Sequence, residues 1–168
     1  MADTQITGIG VTSAIGQGQA AFAQALFAGH SAFGVLAREG RQWPAGADGG
    51  TPFIGAEIGT LQVPESIPRR LLRTASWPAR VAVATLHEAW HDARLDGVAP
   101  QRVGLVVGGS NFQQRDAYLM QQAHGAQPWF MRPSHGHAFM DSDLTALCTE
   151  VFGIRGFAWT VGAASRSE

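Results

Sequence analysis

The sequence predicts an α/β domain with a mixed, mostly parallel sheet flanked by helices. Short apolar runs bounded by glycine have the length of buried strands, and the stretches between them carry one apolar face at helical spacing. The two kinds of segment alternate along the chain, the pattern of crossover connections in α/β proteins. With 168 residues and 45% hydrophobic content, one globular domain over 1–168 is expected.

Residues 6–11 alternate apolar with small side chains and read as a buried strand, with Gly16 and Gly18 marking the following turn. Residues 19–28 read as a helix with Phe22, Ala25, Leu26 and Gly29 on one stripe. The Gly-, Pro- and Ala-rich stretch 40–52 reads as a loop, 53–58 as a short edge strand, and 64–68 as a break between prolines. The longest predicted helix runs from Trp77 or Pro78 to Leu95, with Val83, Leu86, Trp90 and Ala93 on one face, Pro78 in the first turn and Gly97 past the end. Residues 103–107 predict a second buried strand, ending in Gly108-Gly109-Ser110. Helices follow at 115–122 and 139–152, the latter closed by Gly153 and Gly156, and 157–161 is the last strand.

Composition narrows the function classes. The net charge is −1, with basic and acidic residues interspersed, so no basic stripe suggests nucleic acid and no acidic arm is present. One cysteine rules out an internal disulfide framework and suits a reducing cytoplasm. The first residues lack a basic, then apolar, leader, and no apolar run approaches the roughly 20 residues that span a bilayer. A soluble cytoplasmic protein without a membrane or nucleic-acid partner is expected.

His87-Glu88-Ala89-Trp90-His91 matches the H-E-x-x-H pattern of zinc hydrolases, which sets two imidazoles one helical turn apart with a glutamate to activate a metal-bound water. Its context argues otherwise. A third ligand in the extended motif would need Gly at Arg94 and His at Gly97, and no glutamate occurs between Glu88 and Glu150. The three residues are read instead as the solvated edge of an amphipathic helix, and no metal is expected. Gly8-Ile9-Gly10 follows an apolar run as in a dinucleotide fingerprint, but the third glycine is replaced by Ser13 and no acidic residue ends a second strand. No cofactor is therefore expected. Cys148, mid-helix, reads as a small buried hydrophobe. His135 and His137 flank Gly136 too closely and too far from other ligands to define a metal site. Asp141 and Asp143 read as helix-capping acids.

Several segments, in order, resemble the N-terminal half of a β-ketoacyl synthase of the thiolase-like fold. The run Ile6-Thr7-Gly8-Ile9-Gly10-Val11-Thr12-Ser13-Ala14-Ile15-Gly16 resembles that family's first strand, and Leu26-Phe27-Ala28-Gly29-His30-Ser31 its first helix end. Residues 82–95 occupy the place of its second long helix, which makes the H-E-x-x-H match a coincidence. Arg102-Val103-Gly104-Leu105-Val106-Val107-Gly108-Gly109 is similar to the next core strand, and Val151-Phe152-Gly153-Ile154-Arg155-Gly156 to the segment before the nucleophile strand.

The final run, Phe157-Ala158-Trp159-Thr160-Val161-Gly162-Ala163-Ala164-Ser165, looks like the strand and turn that present the family's nucleophilic cysteine, with Ser165 in the cysteine position. Together with Phe139-Met140-Asp141-Ser142-Asp143 it is most similar to the ketosynthase-like decarboxylases of polyketide β-branching cassettes, which carry serine there. That resemblance implies decarboxylation of malonyl-acyl carrier protein to acetyl-acyl carrier protein, with phosphopantetheine arriving on the carrier and no other cofactor. Ser165 would contribute its backbone N–H as an oxyanion donor and a hydroxyl contact. The alternatives are a condensing synthase or chain-length-factor-like partner, a non-catalytic interaction half-domain, and the zinc hydrolase.

The family follows its nucleophile with small residues, where Arg166 and Glu168 stand here, and takes two histidines and a lysine from its C-terminal half. The 168 residues are therefore expected to be an incomplete half, inactive alone, that forms a homodimer or depends on a complementary C-terminal half.

Overall fold

A computed structural model describes residues 3–42, 50–133, 135–136 and 142–162. The described strands form three two-stranded sheets. β1 (Thr12–Ser13) pairs antiparallel with β2 (Gly16–Gln17), and β3 (Phe33–Val35) pairs antiparallel with β4 (Ile54–Ala56). β5 (Leu105–Gly108) and β6 (Ala158–Val161) lie parallel, with Leu105 opposite Ala158 and Gly108 opposite Val161. A parallel pair needs a long crossover. Here the crossover carries α4 (Gln114–His124) and α5 (Ser142–Phe152). Before it come α1 (Gln19–Phe27), the single turn α2 (Arg69–Leu72) and α3 (Trp77–Asp92).

The core forms where α3 crosses α5. Ala79 and Val83 of α3 meet Leu144, Leu147 and Cys148 of α5, with Ile67 closing one side. Leu105 and Val107, on one face of β5, pack against this cluster, and Thr160 of β6 reaches Thr145 of α5 at 3.5 Å. Alternation along the strands sends Val106, Trp159 and Val161 to the other face, where Trp159 is 64% exposed. The second strand was expected to be buried; among the described residues it is covered on one face.

Helix ends follow local chemistry. Ser76 caps α3, its hydroxyl accepting the N–H of Ala79 at 3.3 Å, and Pro78 sits in the first turn. The expected end at Leu95 is three residues late, because Arg94 adopts φ 54° and turns the chain into a Schellman closure. Leu95 N–H then bonds Trp90 C=O and Arg94 N–H bonds His91 C=O, both at 3.1 Å. Gly29 and Gly153, at φ 69° and 64°, close α1 and α5 in the same way with the residue that fits best.

The larger correction concerns residues 6–11. They form no strand, and Ile6 and Ile9 are exposed. The segment lies extended along α3, backbone against backbone. A Cβ on Gly8 would fall 2.6 Å from Ala89 C=O, and one on Gly10 would fall 2.0 Å from Thr85 C=O. The Gly-x-Gly therefore serves close chain packing.

Candidate functional site

Ser165, expected at the nucleophile position, lies outside the described residues, as do His137 and Asp141. What the structure describes is the platform leading to Ser165. β5 and β6 end side by side, and Gly109 N–H donates to Val161 C=O at 2.9 Å, so one last bond ties both strand ends together. Beyond it the β5 chain turns sharply, with φ 140° at Gly109 and 61° at Asn111. Any side chain at Gly109 would strike the Phe112 ring, 2.3 Å from the Cβ position. The carboxyl ends of parallel strands are where open α/β sheets form their ligand crevice, because the connecting loops diverge there.

A buried polar network braces the same end of the layer. Gln113 is 1% exposed, and its amide donates to Ser76 Oγ at 2.6 Å and to Asp143 Oδ2 at 3.4 Å. Ser76 Oγ in turn donates to Asp143 Oδ2 at 3.3 Å. Asp143 was expected to cap its own helix. It does sit in the first turn of α5, where a negative charge suits the helix dipole, but its carboxylate reaches across to the start of α3 and to the turn before α4. Asp143 and His135 line a cleft of about 400 Å³ with Asp116, His124 and Arg132. Gln113 and Ser76 were missed at the sequence level because an uncharged glutamine and a helix-capping serine carry no pattern.

The H-E-x-x-H residues do not converge as a zinc hydrolase requires. Glu88 Oε2 accepts the N–H of Val11 at 2.8 Å, and Oε1 accepts the N–H of Gln19 at 2.7 Å. Asp92, one turn on, accepts the N–H of Ile9 at 2.9 Å. Side chains four apart on a helix share a face, and N–H groups two apart on an extended chain point the same way, so the spacings match. Both the zinc reading of Glu88 and its reading as a solvated edge are therefore wrong: it anchors the N-terminal segment. His87 and His91 face elsewhere, with Nε2 atoms 3.1 Å apart. Among the described residues no three His, Cys, Asp or Glu side chains could hold a metal.

Cys148 is buried as expected, and burial, reinforced by the charge of Asp143, pushes its thiol up to about 12. It therefore stays a thiol at neutral pH and is not a nucleophile. A feature not singled out from the sequence is a cleft of about 860 Å³ lined by Arg69, Arg70, Arg73 and Arg80, with Glu65. Among the described residues none of these four guanidinium groups pairs with a carboxylate. The signal was present in the run Arg69-Arg70-Leu71-Leu72-Arg73. No helix among the described residues is long and apolar enough to cross a membrane.

Comparison with known proteins places this architecture. The polyketide biosynthesis malonyl-ACP decarboxylase PksF of Bacillus subtilis (strain 168) is 48% identical over 162 residues, 96% of this chain and 38% of that protein. The ishigamide ketosynthase/chain length factor superposes with a TM-score of 0.68 at 19% identity, over 94% of this chain and 39% of its own. A β-ketoacyl synthase from Burkholderia phymatum STM815 gives 0.66 at 19% identity, over 95% of this chain and 38% of its own. The α/β fold is thus thiolase-like, and the chain spans about two-fifths of the length of each of these proteins. Residues 1–167 match the family described as β-ketoacyl synthase, N-terminal domain, and the chain belongs to that family.

Proposed function

We propose that this chain is the N-terminal domain of a ketosynthase-like decarboxylase of polyketide biosynthesis, which converts malonyl-acyl carrier protein to acetyl-acyl carrier protein. The observation that carries the reading is the 48% identity to a malonyl-ACP decarboxylase, and the resemblance that sets Ser165 at the nucleophile position agrees with it. Condensation needs an acyl-enzyme, and a serine hydroxyl without a positioned base is a poor acceptor of an acyl chain. Decarboxylation needs none. The electrons of the breaking C–C bond move into the thioester carbonyl as CO₂ leaves, and the enolate is then protonated at carbon. The protein's task is to hold donors at the enolate oxygen. Ser165 supplies a backbone N–H there and a hydroxyl contact, and the family's histidines supply the rest from a C-terminal half.

The open face of Val106, Trp159 and Val161 is the surface on which that half packs, and the complete unit forms a dimer in the cytoplasm. Phosphopantetheine arrives on the carrier, so no resident cofactor is needed. The arginines at 69, 70, 73 and 80, which pair with no carboxylate among the described residues, suit the phosphodiester of the carrier's arm. Intact-mass analysis of malonyl-carrier protein incubated with the complete enzyme tests the reading: loss of one CO₂ without an acyl adduct on Ser165 supports it, and a β-ketoacyl product identifies a condensing synthase instead.

A further inference from the structure

His87 and His91 are used neither by the core nor by the proposed chemistry, and they meet in a way that coincidence of sequence does not require. Both stand on one side of α3, with ring centroids 4.3 Å apart and ring planes at 63°. Their Nε2 atoms approach to 3.1 Å. Ser66 Oγ lies 3.1 Å from His87 Nε2. On the far side of the second ring, an Asp96 carboxylate oxygen lies 3.6 Å from His91 Nδ1, and both of these side chains are more than half exposed to solvent, at 55% and 72%. Together with Trp90 and Leu95 these groups line a cavity of about 360 Å³.

We propose that His87 and His91 form a two-imidazole chelate for a divalent transition metal, Cu(II) or Ni(II) in preference to Zn(II). The two Nε2 atoms, 3.1 Å apart, are close enough to ligate one ion between them, and the contact they make with each other is what a metal displaces. Asp96 favours the tautomer of His91 with hydrogen on Nδ1, which leaves Nε2 free to ligate. Metal–imidazole bonds are about 2.1 Å long, so nitrogens 3.1 Å apart subtend about 95° at the ion. That is the cis angle of tetragonal and octahedral coordination, which suits copper and nickel; a tetrahedral zinc wants a wider one. Water fills the remaining positions, with the Ser66 hydroxyl placed to bond one of them. Glu88 takes no part, since both its oxygens hold backbone N–H groups, so the bound ion has no built-in base and the site is not hydrolytic.

The test is titration of the tag-free complete enzyme, and of its His87→Ala/His91→Ala variant as the blank, with CuSO₄, NiCl₂ and ZnCl₂ by calorimetry, with electron paramagnetic resonance of the copper form. One ion per chain, copper and nickel tighter than zinc, and a spectrum showing two nitrogen ligands are expected. His87→Ala and His91→Ala should each weaken binding at least about tenfold, and Glu88→Gln should leave it unchanged. If circular dichroism shows that an alanine variant fails to fold, His87→Gln and His91→Gln carry the same expectation. Absence of binding at millimolar metal overturns the proposal. So does binding that survives both histidine substitutions, as at a chain terminus or the other histidines, or zinc bound more tightly than nickel and copper.

Discussion

Glu88 Oε2 accepts the backbone N–H of Val11 at 2.8 Å, across 77 positions of sequence. The same carboxylate takes the N–H of Gln19 with its other oxygen, so one side chain on α3 fixes both the entering segment and the start of α1. Hydrogen bonds to a charged acceptor contribute about 1.5–3 kcal/mol each. Because this carboxylate is only partly buried, Glu88→Ala is expected to destabilise the fold by about 2 kcal/mol in urea denaturation. A change of a few tenths, the behaviour of an ordinary surface position, would contradict this role for Glu88.

Asp92 extends the same clasp and gives it a pH dependence. The N–H of Ile9 first, and the Gln19 amide second, hold its carboxyl below the ordinary 3.8. Between the folded and unfolded values the unfolded chain binds more protons, so stability rises with pH there. The contribution is present above pH 3.8 and is lost as pH falls through the lowered folded value. Asp92→Asn should flatten the acid limb of the stability profile below that point. An unchanged acid limb would show that the Ile9 and Gln19 bonds do not form.

Gly10 should tolerate no side chain. A Cβ there would fall 2.0 Å from Thr85 C=O, and backbone on a packed helix does not yield. Gly10→Ala is expected to destabilise by more than about 2 kcal/mol, either by straining or by releasing the N-terminal segment. Gly34, with nothing within 4 Å of its Cβ position, is the control, and Gly34→Ala should change stability by less than about 0.5 kcal/mol. Equal effects at the two positions would refute the close packing of 6–11 on α3.

Much of this architecture is legible in the sequence because it rests on local rules. Pro78 in the first turn announces the start of α3, and the apolar spacing of Val83 identifies its buried face. Glycine announces the ends of α1 and α5, whereas α3, whose last helical residue is Asp92, is closed by Arg94, a residue whose left-handed conformation no local pattern signals. Residues 6–11 have the composition of a buried strand, yet their N–H groups are taken by side chains from 77 or more positions away, a pairing that periodicity cannot show. The network of Gln113, Ser76 and Asp143 escapes for the same reason: it is assembled from three elements by the fold.

Cys148 should be inert in the folded protein. With its thiol pushed up to about 12 and its side chain buried, the thiolate that reacts with iodoacetamide is scarce and shielded. Native protein should resist alkylation for hours under conditions where urea-unfolded protein labels fully within minutes. Rapid labelling of the native chain would mean that the α3–α5 core opens readily.

The arginine cleft makes a prediction about carrier recognition. Arg69→Glu combined with Arg73→Glu should lower kcat/KM of the complete enzyme for malonyl-carrier protein by at least about tenfold at low salt, while a small malonyl thioester lacking the phosphate is turned over as before. An equal loss with both substrates would place these arginines in the fold, not in carrier binding.

The most direct test of the decarboxylase assignment is the fate of Ser165 and of the malonyl group in one reaction. Malonyl-carrier protein is incubated with the enzyme comprising this domain and its histidine-bearing second half, and both proteins are weighed by intact-mass spectrometry. The expected result is acetyl-carrier protein and an enzyme of unchanged mass. An acyl group mapped to Ser165, or a carrier bearing a β-ketoacyl chain, would contradict it.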